Sequence, residues 1–326
     1  MAERTPVVGF LAPPALYAEI AQVAGKKGKQ AWWKCLWLGI MAGVYIGFGS
    51  ILMTSVAGQM LVPTDGDGVR YAGLQKLTSG LCFQMGLTMV MVCGAELFTG
   101  NAAVMVVGLW EGTCSVAEMG ANWGISYVGN LIGSLLIMGL VDASEIFQED
   151  TQPVAWAFSR GVSEAKVSNG WGAALVRGLL ANLLVCVAVW QATAGQSVAD
   201  KVLGIFFPVL AFVAMGLEHS VANMFLIPMG MKNGNGVSVG DFVWMNLIPV
   251  TLGNIIAGSG VLATGYSLSY GSLGRMIEDL INPADKPAQH FVGVLDQPPN
   301  SHHSSGPVEN GHNGHKAASH DVGGEP

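Results

Sequence analysis

Six long stretches of this sequence contain almost no charged residues: 35–64, 77–110, 119–141, 178–199, 202–231 and 242–274. The only charges inside them are the carboxylates of Glu96 and Glu218. Each stretch is longer than the roughly 20 residues that a helix needs to cross a bilayer. Charged residues make up 11% of the chain and its mean hydropathy is +0.46, whereas about 25% of an average soluble domain is charged. The sequence therefore predicts an all-α integral membrane protein with six transmembrane helices.

The positions of lysine and arginine near the spans predict the topology. Four lysines precede the first span: Lys26, Lys27, Lys29 and Lys34. With six spans both termini lie on one side of the membrane. Because lysine and arginine near span ends are in excess on the cytoplasmic side, we expect both termini to be cytoplasmic. We expect residues 1–33 to form a cytoplasmic N-terminus with an amphipathic interfacial helix, residues 34–275 the six-span domain, and residues 276–326 a disordered, histidine-rich cytoplasmic tail.

The two halves of the chain share three short motifs in the same order. The segment 39–43 is similar to 178–182, the frame G-x-E-x-x-x-x-N occurs at 94–101 and 216–223, and a Gly-Asn pair occurs at 129–130 and 253–254. Three spans, an odd number, separate each motif from its copy, so the two halves would cross the membrane in opposite directions. The sequence thus predicts an inverted 3+3 repeat, which is typical of transport folds.

The second and fifth stretches are 34 and 30 residues long, too long for one simple span, and each carries its repeat motif in the middle. We interpret both as broken helices. Non-helical backbone at membrane depth is tolerated only where it is buried in protein or lines a polar cavity, so the two breaks predict a pathway. A half-helix that begins near residues 99–101 would direct free backbone N–H groups and a positive dipole inward, which favours an anion.

The breaks also contain the ionisable residues of the membrane domain. His219, the only histidine outside the C-terminal tail, lies beside Glu218. An ionisable group at membrane depth is costly unless paired, which favours a functional role in which His219 carries or donates a proton. The alternative is a neutral histidine that satisfies the backbone of its own break. For Glu96 and Glu218 we predict a structural role in which the carboxylates accept hydrogen bonds from loosened backbone. Asn101 and Asn223 would support the same breaks.

Three longer strings resemble the signature motifs of the formate-nitrite transporter family: Glu-Leu-Phe-Thr-Gly-Asn at 96–101, Glu-His-Ser-Val-Ala-Asn-Met-Phe at 218–225 and Asn-Leu-Ile-Pro-Val-Thr-Leu-Gly-Asn at 246–254. The resemblance extends over residues 13–275. The segments 11–17 and 266–274 are further similar to the green-algal branch of the family, which is linked to nitrite and bicarbonate. The resemblance implies an aquaporin-like six-helix protomer with its own pore and a homopentameric assembly.

The same resemblance implies roles for residues in four parts of a substrate pathway. The outer hydrophobic constriction would consist of Phe83, Phe98 and Phe212. The inner constriction would include Leu87, Leu97 and Val185. The chamber between them would contain Thr99 and His219, with Asn182 and Asn254 as nearby polar groups. The pore mouths would be flanked by Lys27 and Lys166, which would raise the local anion concentration.

These observations predict a channel or transporter for small monovalent anions of weak acids: nitrite, formate or bicarbonate. Stripping water from a bare anion in an apolar constriction costs on the order of tens of kcal/mol, so the substrate would pass as the neutral acid, protonated directly or through His219. Alternatively, the ion passes charged and is held by polar side chains and helix-end N–H groups.

Other interpretations stay open at this point. An aquaporin-like channel for neutral solutes has the same architecture, although neither break contains Asn-Pro-Ala. An intramembrane enzyme would use His219 and Glu218 as acid and base, but the spans contain no second histidine, no aspartate and no activated nucleophile with a partner. A transporter-like sensor would signal through the tail. The five cysteines show no metal-ligand spacing, so we expect no metal site. We also expect no cofactor, catalytic residue or nucleic-acid partner. We expect the plasma membrane as the location, with the chloroplast envelope as the alternative.

Overall fold

The computed structural model describes residues 9–60 and 72–283. These residues are nearly all helical, in the order α1 Pro13–Gly28, α2 Trp32–Val56, α3 Ala72–Cys93, α4 Phe98–Trp110, α5 Val116–Ala143, α6 Pro153–Val167, α7 Trp171–Ala194, α8 Val198–Ala214, α9 Ser220–Lys232, α10 Val239–Tyr270 and α11 Ser272–Ile281. Two π-helical stretches, Phe242–Leu247 and Ile256–Ala263, interrupt the α-helical pattern of α10. The predicted all-α class is confirmed.

Five helices of the described residues are long and apolar enough to cross a membrane: α2, α3, α5, α7 and α10. The predicted fifth span, 202–231, is divided between α8, with 17 residues, and α9, with 13 residues. The predicted second span is divided in the same way between α3 and α4.

Both interruptions begin with a glycine in the left-handed region. Gly94 follows α3 with φ +74°, and Gly216 follows α8 with φ +69°. A side chain at such an angle costs roughly 1–2 kcal/mol, because Cβ approaches the following carbonyl oxygen. The repeated glycine of the G-x-E-x-x-x-x-N frame therefore permits the chain to leave one helix before the next begins.

The two short helices after the interruptions form the centre of the protomer. Every residue from Phe98 to Gly108 in α4 and from Ser220 to Gly230 in α9 is buried. The long helices pack around them through glycines that admit close backbone approach. A Cβ at Gly133 would collide with the carbonyl of Ile40, and one at Gly253 would collide with the carbonyl of Leu175. Small residues at such crossings are typical of helix packing in membranes.

The N-terminal helix α1, predicted to be an interfacial helix, lies against the protein body. Leu16, Ile20 and Ala24 are buried, and they pack in one cluster with residues of α4. The apolar face of α1 therefore contacts protein, because Gly108 of α4 leaves space for Ala24.

At the other end of the membrane domain, α11 continues to Ile281 and crosses the predicted boundary between residues 275 and 276. The rest of the predicted tail, from residue 284, lies outside the described residues.

Candidate functional site

The carboxylate of Glu96, in the first helix interruption, is buried and bonded to side chains. Its Oε2 accepts a hydrogen bond from Nζ of Lys27 at 2.7 Å and from Nδ2 of Asn101 at 2.7 Å. Asn101 Nδ2 also donates to Oδ1 of Asn122 at 2.9 Å. This set joins α1, α4 and α5 around one ion pair.

The carboxylate of Glu218, in the second interruption, has a matching set of partners. Its Oε2 accepts from Nζ of Lys166 at 3.0 Å, from Nδ2 of Asn223 at 2.7 Å and from Nδ2 of Asn246 at 3.2 Å. Asn223 Nδ2 also donates to Oδ1 of Asn246 at 2.7 Å. The two sets therefore share a lysine, a glutamate and two asparagines, and Asn169 Nδ2 also donates to Oε1 of Glu218 at 3.4 Å.

Two further asparagines hold the loosened backbone. Oδ1 of Asn130 accepts from the N–H of Phe98 at 2.9 Å, and its Nδ2 donates to the carbonyls of Gly39 and Glu96, both at 2.9 Å. Oδ1 of Asn254 accepts from the N–H of Ser220 at 3.0 Å. These bonds satisfy backbone groups that a helix terminus leaves without an intrahelical partner.

These contacts change two of the predicted roles. Glu96 and Glu218 bond to lysine and asparagine side chains rather than to loosened backbone, because Asn130 and Asn254 already occupy the backbone groups. The family resemblance implies that Asn254 is a polar group of the chamber, but its Nδ2 donates to the carbonyls of Gly178 and Glu218. Both ends of this side chain are therefore committed to the second interruption.

The predicted pair Thr99 and His219 meets at the centre of the protomer. Thr99 Oγ1 lies 2.8 Å from Nε2 of His219, and both residues are buried. Nδ1 of His219 accepts the N–H of Ala222 at 3.0 Å and so caps α9. Because that backbone group donates, Nδ1 carries no proton, and in a neutral ring the proton lies on Nε2. Nε2 therefore donates to Thr99 Oγ1, and the hydroxyl proton of Thr99 is left for another acceptor.

Asn182 lies next to this pair on α7. Its Nδ2 donates to the carbonyls of Thr99, at 3.0 Å, and of Asn254, at 2.6 Å. Its Oδ1 is buried and has no hydrogen-bond partner among the described residues. Two carbonyl contacts fix which end of the amide is nitrogen, so the unpartnered atom is an acceptor.

Two separate cavities approach the centre from different ends. The Lys27 cavity, of about 560 Å³, is lined by Lys27, Lys201, Glu19, Val90 and Leu97, among others. The Lys166 cavity, of about 300 Å³, is lined by Lys76, Lys166, Arg177, Glu218 and His219, with Phe83 and Phe212. In the Lys27 cavity, the pair of Lys27 with Glu96 leaves Lys201 and Glu19 in balance. In the Lys166 cavity, Lys76 and Arg177 remain as excess positive charge, which favours anions.

The predicted constriction residues are only partly brought together. The rings of Phe83 and Phe212 pack edge to face at 5.9 Å, and the Phe212 ring lies 5.9 Å from the His219 ring. Leu87, Leu97 and Val185 are buried in the same apolar cluster. Phe98 lies elsewhere: its ring packs against Tyr127 at 4.9 Å and Trp123 at 6.3 Å. Phe98 thus belongs to the contact with α5 and lines neither described cavity.

Several residues of the site receive no role from the sequence alone. Asn122, Asn130 and Asn246 complete the networks of the two interruptions. Asn130 lies in a repeated pair and Asn246 in a signature string, and these positions could have indicated a role for both. Lys76 and Arg177 of the Lys166 cavity had no such signal, because a cation near a span end is common in any membrane protein.

Known proteins of similar sequence are membrane transporters and channels. The family model for the formate/nitrite transporter matches residues 14–268. The chain is 37% identical to the probable formate transporter of Methanothermobacter thermautotrophicus over 274 residues, 80% of this chain and 97% of the relative. It is 35% identical to the formate channel FocA of Escherichia coli K12 over 277 residues, 79% of this chain and 94% of the relative.

Solved structures of similar fold are also channels. A pentameric formate channel with formate bound matches with a TM-score of 0.64 and 32% identity, covering 74% of this chain and 98% of that one. An FNT family ion channel matches with a TM-score of 0.64 and 31% identity, covering 79% and 96%. The family model extends over most of the membrane domain, and the relatives are matched over almost their whole length. This chain therefore belongs to the formate/nitrite transporter family.

Proposed function

We propose that the chain conducts small monovalent anions of weak acids, with formate, nitrite and bicarbonate as the candidates, between the Lys27 cavity and the Lys166 cavity. Membership of a transporter family makes the chain a membrane transporter rather than an enzyme. The relatives named as formate transporters and channels support formate as a substrate. The resemblance of segments 11–17 and 266–274 to the green-algal branch supports nitrite and bicarbonate.

The hydroxyl of Thr99 carries this proposal. It is buried between the two cavities, and His219 leaves its proton free for a bound oxygen. The first N–H groups of α4 and the positive end of its dipole lie at the same place. A substrate oxygen at this point gains a hydroxyl donor and a favourable potential. The predicted path continues past Leu97 on one side and past Phe83 and Phe212 on the other.

The protonation step has two routes, and the geometry favours one of them. A relay through His219 requires the ring to take up a proton at Nδ1, which displaces the N–H of Ala222 and opens the cap of α9. Direct protonation of the weak acid in a cavity leaves that cap intact. We therefore propose that the substrate takes its proton directly and that His219 orients the hydroxyl of Thr99.

Uptake of labelled formate, nitrite and bicarbonate into one proteoliposome preparation at two pH values tests the function. We expect all three weak acids to enter faster at the lower pH, where more of each is neutral. Uptake of glycerol by swelling of the same vesicles, with none of the weak acids, would replace the proposal by a neutral-solute channel.

The variant His219→Asn tests the role of the ring. Because an asparagine cannot accept the N–H of Ala222 from the same position and also donate to Thr99, we expect a lower flux with the same dependence on pH. A flux that loses its pH dependence would instead assign the proton relay to His219, and an unchanged flux would remove both roles.

We further propose the arrangement of the chain in the membrane. The six spans form an inverted 3+3 repeat in which α3 with α4 and α8 with α9 are the broken helices, and both termini are cytoplasmic. The matching hydrogen-bond sets of Glu96 and Glu218 support this repeat. The similarity of the chain to a pentameric formate channel supports a homopentamer. The plasma membrane is the proposed location.

A further inference from the structure

The last helix, α11, has a strongly segregated surface. The apolar residues fall within an arc of about 140° of the helix: Leu273, Met276, Ile277, Leu280 and Ile281. The charged residues occupy the opposite side: Arg275, Glu278 and Asp279. No residue of α11 is buried, and Leu280 and Ile281 are 81% and 68% exposed. In the described part of the protomer, Leu273 is partly covered, whereas Met276, Ile277, Leu280 and Ile281 are exposed.

The charged side of α11 is fixed to the protein body. Glu111, at the end of α4, accepts hydrogen bonds from the N–H of Ser272 at 2.7 Å and from the guanidinium of Arg275 at 2.9 Å. It also accepts the hydroxyl of Tyr17 at 2.8 Å. Burial raises the pKa of Glu111, but these three donors outweigh it and hold the pKa below its ordinary value. The carboxylate therefore stays ionised at neutral pH, and the apolar side of α11 faces away from the body.

The position of α11 along the chain indicates its depth. It follows α10, one of the five helices able to cross a membrane, after the single residue Gly271. The last turns of α10 expose Leu268 and Tyr270, and the adjacent end of α4 exposes Trp110. Tyrosine and tryptophan at the ends of apolar helices mark the membrane–water interface. The apolar side of α11 thus begins where the exposed apolar surface of α10 ends.

We propose that α11 lies in the membrane–water interface, with Leu273, Met276, Ile277, Leu280 and Ile281 in contact with lipid acyl chains. An interfacial helix of this kind is held by its buried apolar area together with any attraction to anionic headgroups. In α11 one arginine is accompanied by two carboxylates, so headgroup charge contributes no net attraction. The contact is therefore with the bilayer in general and not with an anionic lipid in particular.

Nitroxide labels on the full-length protein in bilayers test this contact. Leu280→Cys and Asp279→Cys are labelled in a chain in which the partly exposed Cys82 and the exposed Cys93 are replaced by alanine; the other three cysteines are buried. Both label sites are exposed, so neither substitution disturbs packing. We expect the ratio of oxygen to nickel-chelate collisions to be several times higher at position 280 than at position 279. The same ratio is expected in phosphatidylcholine vesicles and in vesicles that also contain phosphatidylglycerol.

Three outcomes would overturn the proposal. Equal collision with the aqueous nickel chelate at both positions would place α11 in water. An immobile label at position 280, shielded from both reagents, would show that a second copy of the chain covers the helix. A higher collision ratio at position 280 only in vesicles with phosphatidylglycerol would show that the contact is electrostatic rather than apolar.

Discussion

The hydroxyl of Thr99 is oriented by a residue that the sequence separates from it by more than a hundred positions. His219 donates from Nε2 because its Nδ1 caps α9. The substitution Thr99→Val keeps the shape of the side chain and removes the hydroxyl. We expect the flux of formate and nitrite to fall about two- to tenfold, because a hydrogen bond between neutral groups contributes about 0.5–1.5 kcal/mol. Initial rates in proteoliposomes measure this loss.

Thr99→Ser is the matched control, since it retains the hydroxyl and should retain most of the flux. If the valine variant transports as fast as the serine variant, the hydroxyl of Thr99 does not contact the substrate.

The ion pair between Lys166 and Glu218 gives a prediction about stability at the scale of single residues. The side chains are 15% and 2% exposed, and Lys166→Met would leave the buried carboxylate unpaired. We expect a loss of about 3–5 kcal/mol in the free energy of unfolding, most of it recovered when Glu218→Gln is added. Denaturant unfolding in detergent followed by far-UV circular dichroism measures both variants.

Lys232→Met is the control for this prediction. Its partner is Asp142, and the two side chains are 54% and 28% exposed, so the expected loss is below about 1 kcal/mol. A loss at Lys166 no larger than at Lys232 would show that water reaches Glu218.

At the scale of the elements, the two glycines that end α3 and α8 make an equivalent pair. A Cβ at Gly94 or Gly216 meets no atom within 4 Å, but both residues have positive φ. Gly94→Ala and Gly216→Ala should therefore each cost roughly 1–2 kcal/mol through backbone strain alone. Thermal unfolding of the purified variants tests this expectation.

Gly120 offers a control inside α5, where a Cβ also meets nothing within 4 Å and φ is negative. Gly120→Ala should stabilise the protein by about 0.5–1 kcal/mol, because alanine favours the helix. Equal effects of all three substitutions would argue against strain at the interruptions.

The sequence predicted the elements better than the contacts. The repeated frame at 94–101 and 216–223 located both interruptions, because the glycine, carboxylate and asparagine of a helix break are needed at fixed spacing. It could not place Phe98, whose direction depends on the helix that packs against it. Nor could it separate Asn254, which holds backbone, from Asn182, which retains a free acceptor, because both lie in similar apolar helices.

The central pair occurs where the two copies of the frame differ. Leu97 in the first copy corresponds to His219 in the second, and Thr99 corresponds to Val221. The shared positions build the two helix breaks, whereas the unshared positions supply one polar group from each half. The internal repeat therefore predicts the two helix breaks, whereas the functional pair lies at positions where the two copies of the repeat differ.

At the scale of the whole molecule, the number of chains in the assembly can be measured directly from its mass. Large apolar side chains are exposed along several spans, among them Leu136, Leu140 and Phe207. Such surfaces contact lipid or a neighbouring copy. For a homopentamer of 34.0 kDa chains we expect native mass spectrometry to detect a particle of about 170 kDa. A particle of about 34 kDa that still transports in reconstituted vesicles would contradict the pentamer while leaving the pathway within the protomer.

The separation of the two cavities has a consequence for the cell. Thr99 and Asn182, which lie between the two cavities, have no exposed surface. The cavities share no lining residue in the described part of the chain. A column of water would let protons and metal cations run down their gradients, but packed side chains with low polarisability act as an electrical insulator. Passage of the substrate as the proposed neutral acid would then carry no net charge and would leave the membrane voltage unchanged.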